Sequence, residues 1–174
     1  HVEEAWQLAG ADTPADAPLD VHAVVPAHTG MSGYLMLIGD NARAVEIGER
    51  GLAIADRAGD VAWAIYRLLP FVIENALYLG DYERAARHSA RLRSESERLN
   101  HALGLAWADA TDALLAYLTG DARDAVPRLR AAAGALEAVP FVFDAARLRR
   151  LIGRAMVDAG DREGAERELR RAHE

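Results

Sequence analysis

The residue types that most often do chemistry are scattered along this sequence. Its six histidines are His1, His22, His28, His88, His101 and His173. No two share the i, i+4 spacing that puts two imidazoles on one helix face for zinc, and no HExxH occurs. They read as surface or capping residues, and no metal site is expected. The run Gly30-Met31-Ser32-Gly33 approaches a nucleophile turn, but GxSxG fails at Tyr34 and no strand precedes it. Its two glycines read as close helix packing or a kink. Asp109 and Asp112, with Thr111 between them, share a helix face at i, i+3 and have the types of an acid pair. A polar stripe facing water or a groove is the simpler account. Arg147, Arg150 and Arg154 recur at spacings of three and four. Three guanidiniums on one face suit a carboxylate or phosphate clamp, while a solvated face is the simpler account. No catalytic residue and no cofactor are expected.

Composition points to the elements that carry these residues. The chain has 174 residues, of which 37 are Ala, and all 20 basic residues are Arg. Ala, Leu, Arg and Glu favour helix, and the β-branched and aromatic runs of a sheet are scarce. The absence of Cys excludes a disulfide scaffold and thiolate metal sites, and fits a reducing cytoplasm. The net charge of −7 is uneven: residues 1–60 carry three Arg against ten acids. So acidic a front is a poor surface for a phosphate backbone, and no direct binding of nucleic acid is expected. No apolar run approaches the ~20 residues of a membrane span, and no signal peptide is visible. A start at His1 rather than Met reads as an excerpt of a longer protein.

The strongest signal is a repeat. Gly-Asp recurs at Gly39-Asp40, Gly80-Asp81, Gly120-Asp121 and Gly160-Asp161, each followed by an alanine at one offset: Ala44, Ala85, Ala125 and Ala165. A near-constant period of ~40 residues marks a solenoid. Gly closes one helix in the left-handed conformation, and Asp caps the next by accepting from its free backbone N–H groups. The alanine one turn later keeps two helices close. Between the turns the sequence predicts helix pairs at 26–38 with 41–57, 61–79 with 82–99, 102–118 with 122–137, and 142–159 with 162–173. Each pair is an apolar helix A followed by a charged helix B. Gly59-Asp60, Asn100 and Pro140 stand at the joints. A short helix at about 2–9 and a Pro-containing linker, together residues 1–25, precede four hairpins over 26–174, at about 26–59, 60–100, 101–140 and 141–174. Pro70 falls inside the second helix A and predicts a kink, with the carbonyl of Tyr66 losing its partner.

The repeat resembles the tetratricopeptide type. Leu79-Gly80, Tyr82 and Ala85 match the Leu-Gly, aromatic and Ala positions of that family over residues 26–174. The period is longer than the family's usual 34, the aromatic is replaced by Asn41, Ala122 and Arg162 elsewhere, and only Pro140 stands for the closing proline. The resemblance implies an all-α right-handed superhelix of antiparallel helix pairs. It also implies a concave surface at Arg67, Glu74, Trp107, Leu114, Arg147 and Arg154, with Trp63 as core and Trp107 in core or groove. Long, Ala- and Arg-rich repeats with turns such as AGD and LGD are similar in style to the helical sensor region of large bacterial signalling ATPases. Those include maltose-regulator-like activators that end in a LuxR-type DNA-binding domain. The resemblance implies a cytoplasmic protein- or peptide-binding scaffold within such a regulator, and alternatively a superhelix that senses a small-molecule inducer. Neither a GxxxxGK[ST] phosphate loop nor a helix-turn-helix reader occurs in this chain. The last helix has an apolar stripe, Ala165, Leu169 and Ala172, among charged residues. In a solenoid it expects cover from a dimer partner, such as a homodimer through this helix, or from further chain.

Overall fold

The computed structural model describes residues 4, 6–7, 20–59, 62, 68–120, 122–138 and 142–173, the side chains of 122–123, 142–144 and 147 lying outside that description. Eight helices account for most of it: α1 (Val21–Leu37), α2 (Asn41–Ala58), α3 (Leu69–Tyr78), α4 (Tyr82–Arg98), α5 (Ala102–Thr119), α6 (Ala122–Ala138), α7 (Val142–Asp158) and α8 (Arg162–Arg171). No strand occurs among the described residues, and none of their helices is long and apolar enough to cross a membrane. The chain is all-α.

The turns follow from residue chemistry. At Gly39, Gly80 and Gly160 φ is +83°, +72° and +85°, the left-handed region that glycine enters without a Cβ penalty. The N–H of the next residue then reaches back past the helix end: Asp40 to Leu35 O (2.9 Å), Asp81 to Ala76 O (2.9 Å), Asp161 to Met156 O (2.8 Å). Each aspartate turns to the following helix and accepts from the backbone N–H three residues on, at Arg43, Arg84 and Gly164. The joint between α4 and α5 repeats this with other residues. Asn100 takes φ +50°, His101 N–H bonds Ser96 O at 2.7 Å, and His101 Nδ1 accepts from Gly104 N–H at 2.9 Å. With Gly59 at φ +71° closing α2, left-handed closures fall about every 20 residues from Gly39 to Asn100, half the repeat visible in the sequence.

Two local expectations change. Gly120 is extended (φ −141°, ψ −150°), not left-handed. Glycine is needed there for another reason, since a Cβ would stand 2.8 Å from the carbonyl oxygen of Ala116. The cap expected from Asp121 lies outside the described residues. The helix expected from residue 26 begins at Val21, because Asp20 caps it by accepting from His22 N–H at 3.0 Å. The helix runs through Pro26 and gives up the bond that residue would have donated to His22 O. Pro70 stands near the start of α3, just after Leu68 in π-helical backbone; the kink expected there and the carbonyl of Tyr66 depend on residues 60–67, most of which lie outside the described residues.

The chain divides into two compact units, His1–Arg91 and Leu92–Glu174, with the division inside α4. In the first, α1 packs on α2 and α2 on α3. Two glycines of α2 allow this. A Cβ on Gly48 would come 2.5 Å from Val72 Cγ2, and one on Gly51 would come 2.7 Å from His28 Cβ and 3.2 Å from Leu68 Cδ1. Of the pair singled out in α1, Gly33 faces the Phe71 ring at 3.3 Å from its would-be Cβ, whereas Gly30 faces open space. Trp6 covers the other side of α1 in a small cluster with Met31, Leu35 and Ala44. In the second unit α5 packs on α6, α6 on α7 and α7 on α8. Their core joins Ala110, Leu129, Leu136, Leu148, Ile152 and Met156. The repeated alanines Ala44, Ala85, Ala125 and Ala165 are all buried, as close helix contacts require.

Candidate binding surface

The second unit gathers the half-buried aromatic, apolar and charged side chains of two helices A. Trp107, Leu114 and Tyr117 of α5 and Leu151 of α7 pack against the core without being covered by it. Helical spacing puts Leu151, Arg154 and Asp158 on one face of α7. The two helices meet at their ends, where Tyr117 Oη donates to Asp158 Oδ2 at 2.8 Å. The other carboxylate oxygen of Asp158 holds Arg154 Nε at 3.4 Å. Burial, and then the hydrogen bond to Asp158, raise the Tyr117 phenol above its ordinary range, so it remains a neutral donor. Arg154, its side chain 73% exposed, pairs with Asp158 through Nε and leaves most of its surface in solvent. The strip can offer apolar contact, an aromatic edge and an exposed cation.

The structure brings together only part of the expected surface. Trp107, Leu114 and Arg154 lie on this strip. Arg147 is on α7, its side chain outside the described residues, and Arg67 lies outside them altogether, as does Trp63. Glu74 belongs to the first unit and is only 7% exposed on α3, so it does not stand on an open face of that unit. Leu151 and the Tyr117–Asp158 bond were not anticipated. The two bonded residues stand one repeat plus one residue apart, so aligning the repeats carries the signal for that bond. The same alignment pairs Trp107 with Arg147 and Leu114 with Arg154.

Other candidate groups are engaged elsewhere. Arg93 Nη2 lies 2.8 Å from both Asp109 Oδ1 and Asp112 Oδ2, so one guanidinium bridges the two acids. The bond to Asp109 is the main reason the Arg93 pKa is raised. Thr111 Oγ1 donates back to Trp107 O at 2.9 Å. Among the histidines, His101 is a cap, as expected of such residues. Its pKa is lowered by burial, and accepting an N–H also requires an unprotonated Nδ1. His88 Nε2 lies 3.0 Å from Glu49 Oε1. His28 departs from the expectation: it is fully buried, its Nδ1 donates to Val24 O at 2.8 Å, and its ring lies 4.6 Å from that of Trp6. Among the described residues no group of three His, Asp or Glu is placed to hold a metal.

An ion cluster hidden from sequence reasoning sits between α6, α7 and α8. Arg149, only 4% exposed, donates from Nε to Glu137 (2.6 Å) and from Nη1 to Glu168 (2.7 Å). Arg130 Nε bonds the second oxygen of Glu168 at 2.8 Å. The Glu137 carboxyl falls below its ordinary range, chiefly through the bond from Arg149. Nothing in the arginine pattern separates Arg149 from its neighbours; it is the one turned inward, while Arg150 and Arg154 are exposed. No protein-family model matches the chain, and neither does any curated protein.

Proposed function

We propose that this chain is a binding module: a right-handed superhelix of four tetratricopeptide-like hairpins that takes a protein or peptide partner along its helices A. Such a module would serve inside a larger cytoplasmic signalling or transcriptional regulator of the bacterial LuxR-ended kind, with DNA binding left to a separate domain. The observation that carries this reading is the strip on α5 and α7. There Trp107, Leu114, Tyr117 and Leu151 leave apolar surface uncovered beside the exposed Arg154. Trp, Tyr and Arg are enriched among the residues that dominate protein–protein binding energy.

Selecting from a displayed random-peptide library tests this, with the wild-type chain as target and a Trp107→Ala/Arg154→Glu chain as counter-target. Enriched peptides are expected to bind wild type at least about tenfold more tightly, a difference of about 1.4 kcal/mol. No enrichment, or peptides that bind both chains equally, would overturn the proposal.

A further inference from the structure

The outer face of α8 forms a second, separate surface. A groove of about 620 Å³ runs between the end of α7 and α8, floored by Val157, Ala165 and Leu169 and edged by Arg162, Glu166 and Arg170. Val157 is 47% and Leu169 42% exposed. What such a face receives is visible one repeat earlier. At the same register Ala125, Val126, Leu129 and Ala133 of α6 are buried in one cluster with Leu148, Ile152 and Met156 of α7. There a helix A lies across a helix B.

The charges carry the same register. Arg130 of α6 reaches Glu168 on the following hairpin at 2.8 Å. Arg170 stands 40 residues on, is 74% exposed, and has Glu166 of its own helix at 2.5 Å. Three further positions change type: Ala122 becomes Arg162, Val126 becomes Glu166 and Ala133 becomes His173. A wholly apolar helix laid over α8 would bury the exposed Arg162 with no carboxylate to meet it and would strip water from the Arg170–Glu166 pair. A helix that carries its own carboxylates would supply the missing partner.

We infer that the groove of α8 is a docking site for an acidic amphipathic helix from a partner protein. That helix sets one apolar row over Val157 and Leu169 and places carboxylates against Arg162 and Arg170. The groove lies on a helix B and its outer side, so this inference stands apart from the strip on the helices A.

Two synthetic helical peptides test it, both with leucines at i, i+4, i+7 and i+11, one with glutamate and one with lysine on the flanks. By titration calorimetry against the whole chain, the glutamate peptide is expected to bind at least about tenfold more tightly than the lysine peptide. Leu169→Glu should abolish binding, and Arg162→Glu/Arg170→Glu, which leaves the apolar floor intact, should reverse the preference. Equal binding of the two peptides, binding of neither, or binding unchanged by the charge reversal would overturn the inference. Sedimentation of the chain alone supplies a further check. Self-association lost in Leu169→Glu would show that a second copy occupies the groove, and would overturn it as well.

Discussion

The two units use the same turns and, each within itself, pack their helices differently. In His1–Arg91, helices approach because side chains are missing: Gly48 and Gly51 of α2 leave room for Val72, His28 and Leu68. Its buried polar groups lean on nearby backbone, with Asn75 Nδ2 donating to Phe71 O (2.7 Å) and Ser32 Oγ crossing to Ala44 O (2.9 Å). In Leu92–Glu174 the interfaces are filled by Leu129, Leu136 and Ile152, and the buried charges Arg149 and Glu168 join three helices. A repeat therefore specifies where helices turn, while each interface sets separately how close they come and what holds them. Small residues make an interface intolerant of added volume. A buried ion cluster makes one intolerant of losing a single partner.

That contrast can be broken from the side of the second unit first. Arg149→Ala leaves Glu168 short of one partner in a buried site and should destabilise the chain by about 3 kcal/mol, read as a lower urea midpoint. Arg149→Met with Glu168→Leu removes both charges and should recover most of that loss; failure to recover would mean that the cluster does more than satisfy itself.

Volume comes next. Gly51→Ala places a methyl 2.7 Å from His28 Cβ and should cost about 2 kcal/mol, with hydrogen exchange rising first in α1 and α2. Gly30→Ala, facing open space in the same family of glycines, should be neutral or stabilising by about 0.4–1 kcal/mol. Equal losses at both would erase the distinction. Ala125→Leu should cost ~1–3 kcal/mol by overfilling the α6 contact, and Ala85→Leu a similar amount, both as shifts of the urea midpoint.

A smaller effect belongs to the histidine cap. The His101 pKa is lowered in the folded chain, so the unfolded chain binds the proton more readily. The stability His101 contributes is present above its unfolded pKa of about 6.5 and is lost as pH falls through the folded value. His101→Asp should keep the cap and remove that pH dependence. His101→Ala should cost about 1 kcal/mol at pH 8 and less at pH 5, followed by thermal unfolding. The smallest change is expected at Arg154→Ala, whose exposed pair with Asp158 contributes at most about 0.5 kcal/mol; a larger loss of stability would recast Arg154 as a structural residue.

How much was legible follows local and nonlocal chemistry. The Gly-Asp turns are legible because the left-handed glycine and the capping carboxylate act within five residues of each other. The buried alanines are legible because one offset recurs four times. The start of α1 was misplaced because Pro26 carries a strong local signal, yet a cap at Asp20 and burial of Val24 and Val25 outweigh one lost hydrogen bond. Of the proposed surface, register alone picks out Trp107, Leu114 and Arg154, which align between repeats on the helices A. Leu151 and Asp158 carry no such mark, because the Tyr117–Asp158 bond depends on which helix lies opposite.

By itself, then, the sequence determined an all-helical chain, the place of most turns and the apolar faces, since these rest on propensity, capping and period within one or two helical turns. Only the tertiary structure decided that Gly48 and Gly51 are contacts and Gly30 is not. It alone turned Arg149 inward beside two exposed arginines, and tied the Asp109 and Asp112 pair to Arg93. Each of these depends on which helix lies opposite, and identical residue types at neighbouring positions of one helix carry no record of that.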